Sequence, residues 1–300
     1  ASFNVPAERI IAGNGSDEII DLLIRIFVAP GSENIIIPEP TYGMYEVATV
    51  TQNCIVKKVQ LTDNFQLDSN AILSQADTNT KMIFLCSPNN PTGNLLEASQ
   101  IEFLLKNFPG IVVVDQAYVE FSDSFPWRYR LKDFPNLVVL QTFSKAWGMA
   151  SVRAGLAFAS KTIIEWMMRV KLPYNLNQLT QQKITEQLAK ATVVNQWIDD
   201  IKSSRALLQE NLRQLAGVEK IYPSEANYLL VKFKNAEHVY NKLKSRGIVV
   251  RNRSNLPKCE NTLRLTIGTK AENELLIAAL KAIDSQKDTG LKAKQQATKF

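Results

Sequence analysis

Three unbroken apolar runs, MIFLC at 82–86, IVVV at 111–114 and LVVL at 137–140, constrain the fold of this chain more than any other feature. A strand with one wet face alternates apolar and polar side chains. A strand that is apolar throughout must be covered on both faces, as in parallel sheets flanked by helices. Helical periodicity lies between such runs, in DEIIDLLIRIFV at 17–28 and in stretches near 68–76 and 97–107, and further short strands are expected near 34–37, 54–59 and 154–159. The expected fold class is therefore α/β, a mostly parallel central sheet with helices on both faces. After Pro173 the texture changes to a long polar helical region at about 178–214, followed by NYLLVKF, GIVVRN and TLRLTIG with two helices. That is the pattern of a smaller α+β unit, so we expect a large domain over 1–182 and a linking helix with a small C-terminal domain over 183–300. The last stretch, 286–300, is poor in apolar residues and is expected to be a disordered tail.

Charge and cysteine content exclude several classes. The net charge is +6, but half of the excess falls in the last twenty residues, where five lysines face Asp284 and Asp288. No folded basic face with interleaved aromatics is left to argue for nucleic acid. Cys54, Cys86 and Cys259 are odd in number and lack C-x-x-C spacing, so neither a disulfide framework nor a zinc site is expected, and no metal. No window holds the roughly 18 apolar residues of a membrane span. A cytoplasmic protein with small-molecule partners, without nucleic acid or membrane, is the simplest expectation.

Ligands of open parallel sheets bind beyond the carboxyl ends of the strands. Here MIFLCS runs into PNNPTG, IVVV into DQAY and LVVL into QTFSKAWGMASVRAG, which would gather Asn90, Asp115, Tyr118, Thr142, Ser144, Lys145 and Arg153 at one edge. GNGSDE adds Gly15, Ser16 and Asp17 just ahead of a helix. Each motif alone has a plainer meaning. PNNPTG can be only a turn, GNGSDE only a helix start capped by Ser16 or Asp17, and Lys145 an ordinary surface lysine. Asp115 is harder to set aside, because a carboxylate ending Ile-Val-Val-Val is partly buried and needs a partner or a raised pKa. One cofactor accounts for all of them together: pyridoxal 5'-phosphate asks for a Schiff-base lysine, an acid beside its pyridine nitrogen, donors to its ring oxygen and an anion cradle.

CSPNNPTG, DQAYVEF, TFSKAWGMASVRAG, KLPYNLN and EPTYGMY, in this set, resemble the fold-type I PLP-dependent aminotransferases and, within them, the histidinol-phosphate aminotransferases. The resemblance runs from IIAGNGSDE to LRLTIGT. It implies that Lys145 holds the cofactor and moves the substrate proton, that Asp115 pairs with the pyridine nitrogen, and that Asn90 and Tyr118 bond the ring oxygen. Tyr42 would stack on the ring. Gly15, Ser16 and Asp17 would offer amides to the phosphate, completed by Thr142, Ser144 and Arg153. In the smaller unit the resemblance assigns Asn227, Arg251 and Arg264 to the substrate, with the guanidinium forks reading its phosphate or carboxylate. Arg253 is read as a surface cation.

The implied activity is amino-group transfer between L-histidinol phosphate and 2-oxoglutarate or glutamate, in histidine biosynthesis, by a homodimer with its active sites at the subunit interface. An aromatic or broad-specificity aminotransferase and a threonine-phosphate decarboxylase would use much the same cofactor residues. Gln116, Trp147 and Ser151 depart from the family pattern, and family members carry a further N-terminal segment with an arm, which is expected to be missing from these 300 residues.

Overall fold

A computed structural model describes residues 3–297, with side chains through Ser285. In chain order the elements begin with β1 (Ile10–Gly13), α1 (Ser16–Phe27), β2 (Asn34–Glu39), α2 (Met44–Thr51), β3 (Ile55–Gln60), α3 (Ser69–Gln75) and β4 (Thr80–Cys86). They continue with α4 (Ala98–Asn107), β5 (Ile111–Asp115), β6 (Leu137–Thr142), β7 (Gly155–Phe158), α5 (Lys161–Val170), α6 (Gln178–Leu188) and α7 (Ala191–Arg213). The remainder comprises β8 (Val218–Ile221), β9 (Tyr228–Phe233), α8 (Ala236–Lys244), β10 (Arg251–Asn252), β11 (Thr262–Thr266) and α9 (Lys270–Ala297).

The first seven strands form one sheet in the order β1-β7-β6-β5-β4-β2-β3, parallel throughout except for β7, which runs antiparallel to both its neighbours. The continuous apolar runs are explained by two cores. Ile83, Leu85, Val112, Val114, Leu137 and Val139 pack into the layer holding α3 and α4 residues. Their alternates Met82, Phe84, Val113, Val138 and Leu140 pack into the opposite layer, with Ile19, Ile20, Leu23 and Ile24 of α1. β4, β5 and β6 thus bury both faces, and the fold class is the expected α/β arrangement.

The second sheet has four strands, β10-β11-β9-β8, all antiparallel. Its core is built by Leu229, Val231, Leu263 and Leu265 under α7, α8 and α9. GIVVRN contributes only the two-residue β10, while β8 was not anticipated from its sequence, VEKI. The 182/183 boundary falls inside α6. Backbone helix continues in α9 to Ala297, across much of the stretch expected to be a loose tail, which is rich in the helix formers Lys, Ala and Gln. Side chains of 286–297 and all of 298–300 lie outside the described residues. Among the described residues no helix is long and apolar enough to cross a membrane.

Candidate active site

The antiparallel insertion of β7 assembles the site. Gly155 stands opposite Gly13 of β1 on one side and Thr142 of β6 on the other, so the turns after β1 and β6 meet across it. A Cβ on Gly155 would lie 2.5 Å from the amide nitrogen of Ser16, and one on Gly15 would lie 2.6 Å from a terminal nitrogen of Arg153. Only glycines permit that approach. Gly15 adopts φ +82° as N-cap of α1 without a capping side chain, so neither Ser16 nor Asp17 caps the helix and its first amides remain open to an anion; the Gly15 amide, expected to join them, instead bonds the Gly13 carbonyl at 2.8 Å and tightens the turn. Arg153, in left-handed conformation, pairs with Asp17 at 3.2 Å. An anion bound here shares that guanidinium with Asp17.

A cavity of about 80 Å³ is lined by Ser16, Asp17, Tyr42, Asn90, Asp115, Tyr118, Thr142, Ser144, Lys145 and Arg153, together with Cys86 and Ala117. Ten expected cofactor residues therefore converge, and Gly15 abuts Arg153 beside them.

Asp115, only 2% exposed, ends β5 beneath the cavity. Its carboxylate accepts the Tyr45 hydroxyl at 2.8 Å and the Ala117 amide at 3.0 Å. Burial pushes its pKa up to about 6, with the charge of Asp17 adding to the rise; the two hydrogen bonds and Lys145 oppose it. Two accepted bonds leave lone pairs free for a cationic N–H. Lys145 remains accessible across the open cavity, yet enough protein surrounds its Nζ to lower its pKa, and Arg264 pushes the same way. The Nζ lies 5.4 Å from the Tyr118 ring centre. Tyr118 is buried edge-to-face against Tyr228 at 5.2 Å, and burial raises its pKa. Tyr42 donates its hydroxyl to Asp17 at 3.0 Å. The Ser144 amide donates to Thr142 Oγ1 at 3.1 Å, fixing the turn that carries Lys145.

The smaller sheet closes over this edge. Tyr228 donates its hydroxyl to the Asn89 carbonyl at 2.6 Å, and the Glu225 amide bonds the Gly93 carbonyl at 2.7 Å. Arg264 donates to Asn90 Oδ1 at 2.7 Å with its guanidinium 4.8 Å from the Tyr228 ring. Of the other expected substrate residues, Arg251 is exposed on β10 as the register partner of Arg264, and Asn227 is half-buried and accepts the Ile267 amide through its carbonyl. None of the three expected substrate residues lines the cavity, and Arg264 reaches it only through Asn90. Arg253 departs from its reading as a surface cation: it is half-buried, and its Nε is shut off from solvent. Tyr45 and Tyr228 were missed because their hydroxyl partners lie far off in sequence. For Tyr45 the visible signal was its spacing of three from Tyr42 on a helix start.

The chain matches the family described as Aminotransferase class I and II over residues 3–280, and it belongs to that family. It is a pyridoxal-phosphate-dependent transaminase. Among its relatives, the histidinol-phosphate aminotransferase of Christiangramia forsetii is 47% identical over 282 residues, spanning 94% of this chain and 81% of that protein. The solved histidinol-phosphate aminotransferase of Clostridium acetobutylicum superposes with a TM-score of 0.86 at 25% identity, covering 93% of this chain and 84% of that one. The L-threonine-O-3-phosphate decarboxylase of Porphyromonas gingivalis superposes with a TM-score of 0.78 at 27% identity, covering 93% and 84%.

Proposed function

We propose that this protein transfers an amino group between L-histidinol phosphate and 2-oxoglutarate in the cytoplasm, as a homodimer. The observation that carries the reading is one edge holding an accessible lysine of lowered pKa, a buried carboxylate below it and Arg264 bonded to Asn90 beside it. That set suits an amine whose far end is an acid, and the 47% relative bears the same activity in its name.

The residues fit pyridoxal phosphate. The glycine-walled turn of Gly15, Ser16 and Asp17, with Thr142, Ser144 and Arg153, would hold the phosphate. Asp115 would hold the pyridine nitrogen, and Asn90 and Tyr118 the ring oxygen, with Tyr42 against the ring. When bound, the cofactor supplies an electron sink that acidifies the C–H beside the substrate nitrogen. Lys145 Nζ, held less basic than an ordinary lysine, would take that proton and return it on the cofactor side; positioned acid–base groups contribute about 10² to 10⁴ in rate. Asp115 would keep a positive charge on the ring nitrogen. Arg264 and Arg251 orient the substrate by its acid end, with Asn227 beside it.

The division into 1–182, carrying the cofactor residues, and 183–300 is part of the same proposal, supported by the two separate sheets. The homodimer is supported by an apolar surface beside the cradle: Leu172, Tyr174 and Leu179 are 71%, 96% and 74% exposed. Asn175, between them, donates to Glu18 and to the Ala12 carbonyl at the base of the cradle turn. Sedimentation of the wild type and of Tyr174→Asp tests it; a wild-type monomer overturns the homodimer.

Single-turnover spectra of the purified holoenzyme test the substrate. Conversion of the cofactor by histidinol phosphate faster than by phenylalanine supports the reading, the reverse preference favours an aromatic aminotransferase, and carbon dioxide release from a phosphorylated amino acid favours the decarboxylase.

A further inference from the structure

The most unusual group outside the cofactor cavity is Arg253. The register of β10 on β11 sets Arg251 opposite Arg264. The Arg253 amide then bonds the Thr262 carbonyl at 3.0 Å, continuing the same ladder by one residue pair. Side chains two apart on a strand share a face, and diagonal cross-strand neighbours come within reach of long side chains. Arg251, Arg253 and Arg264 therefore form one cluster on the side of the sheet that carries Arg264 to Asn90.

Three features separate this cluster from ordinary surface cations. The Nε atoms of both Arg253 and Arg264 are buried without a hydrogen-bond partner. Among the described residues, none of the three arginines has a carboxylate oxygen within 4.0 Å, although ion pairs are common elsewhere in the chain. Finally, Arg253 is half-buried, and its charge, like that of Arg264, reaches Tyr118, which lines the cavity, and Tyr228, which packs on Tyr118. A half-buried guanidinium without a counter-ion, next to two more cations, is costly to hold. Burial and the charges of Arg264 and Arg251 lower its pKa accordingly. The cost disappears when an anion of more than one charge sits among the three.

We infer that Arg253 is a third arginine of the acid-binding end, and that it sets the preference of this site for a phosphomonoester dianion over a carboxylate. A carboxylate offers two oxygens, which the forks of Arg251 and Arg264 already match. A phosphate offers three and carries about twice the charge, so the third guanidinium finds a partner only there. The inference rests on the reading that the substrate ends in phosphate, and it assigns that end's recognition to a residue two positions beyond β10's first arginine.

The test uses the holoenzyme and Arg253→Gln, with Arg253→Lys as the conservative variant. With histidinol phosphate, Arg253→Gln loses about 10- to 150-fold in kcat/KM, mainly through KM, because a charge-assisted pair made equally in ground and transition states is removed. With histidinol, which lacks the phosphate, the change stays within about threefold, and Arg253→Lys falls between wild type and Gln. Equal losses on the two substrates, or a Lys variant as poor as Gln on both, would make Arg253 a merely structural residue and overturn the inference. Titration of the holoenzyme with inorganic phosphate needs no substrate. A Kd raised about tenfold or more in Arg253→Gln supports the inference even if the wild type rejects histidinol phosphate, in which case only the proposed substrate falls. An unchanged phosphate Kd overturns it whichever substrate the wild type prefers.

Discussion

Removing the cofactor exposes the energetic consequence of burying Asp115. In the apoprotein its pKa is pushed from 3.8 to about 6, with burial as the leading cause. The folded chain therefore binds this proton more tightly than the unfolded chain, so the stabilisation it confers is full below pH 3.8 and is lost as pH rises through 6. The difference of roughly two pKa units corresponds to about 3 kcal/mol over the whole range, of which about 1.4 kcal/mol falls between pH 5 and pH 8. Asp115→Asn is neutral throughout. Its other carboxylates titrate as in the wild type, so the wild-type minus mutant difference isolates this group. Denaturant unfolding of both apoproteins at pH 5, 6.5 and 8 should show that difference falling with pH by about 1.4 kcal/mol, against the wild type at pH 8. Reconstitution with pyridoxal phosphate should abolish or reverse the trend, because a cation then faces the carboxylate. A pH-independent difference in the apoprotein, or one that grows with pH, would mean that the carboxylate is already paired with a positive group and that the burial argument is wrong.

Lys145→Ala should abolish transamination and the visible absorption of the bound cofactor while leaving phosphate-dependent retention, read by spectra before and after gel filtration; a borohydride-reducible lysine link at near-normal activity would exclude Lys145. Gly155→Ala should cost about 1 to 3 kcal/mol, since its Cβ meets backbone 2.5 Å away at Ser16, and should weaken cofactor affinity, both measured by melting with and without pyridoxal phosphate. Arg264→Gln removes a cation that holds the Lys145 pKa down, so the pH midpoint for covalent capture of pyridoxal by the apoprotein should move upward from its wild-type position, which lies below 10.5. A midpoint that stays in place would detach Lys145 from Arg264.

The large sheet and the cavity were legible because both are written in local signals. A strand buried on both faces must be apolar throughout, and polar residues at its exit, such as Asp115 and Lys145, then stand out against it. What sequence could not express was pairing between distant segments. Nothing in IIAG predicts that Ile10–Gly13 lies antiparallel to β7, yet that pairing builds the cradle. Tyr45 reads as an ordinary helix residue until β5 places Asp115 within 2.8 Å of its hydroxyl. Arg251 and Arg253 look alike in VVRNRS, and resemblance favours the first. Burial distinguishes them, and burial depends on how β10 meets β11 and the Asn90 turn.

The balance of charges and burial around Lys145 explains why a lysine with two aspartates nearby still has a lowered pKa. Asp115 and Asp17 favour the charged ammonium, while burial, Arg264 and Arg153 oppose it and prevail. Among the charges that oppose the ammonium, Arg264 is the leading one. The cationic end thus sets the base. If the substrate's acid end binds among the arginines as proposed, it would offset the field from Arg264 and make Lys145 more basic when a C–H proton is to be removed. On that proposal, binding at the arginine cluster and basicity at Lys145 would be coupled through Coulomb interaction, with no movement of the chain required.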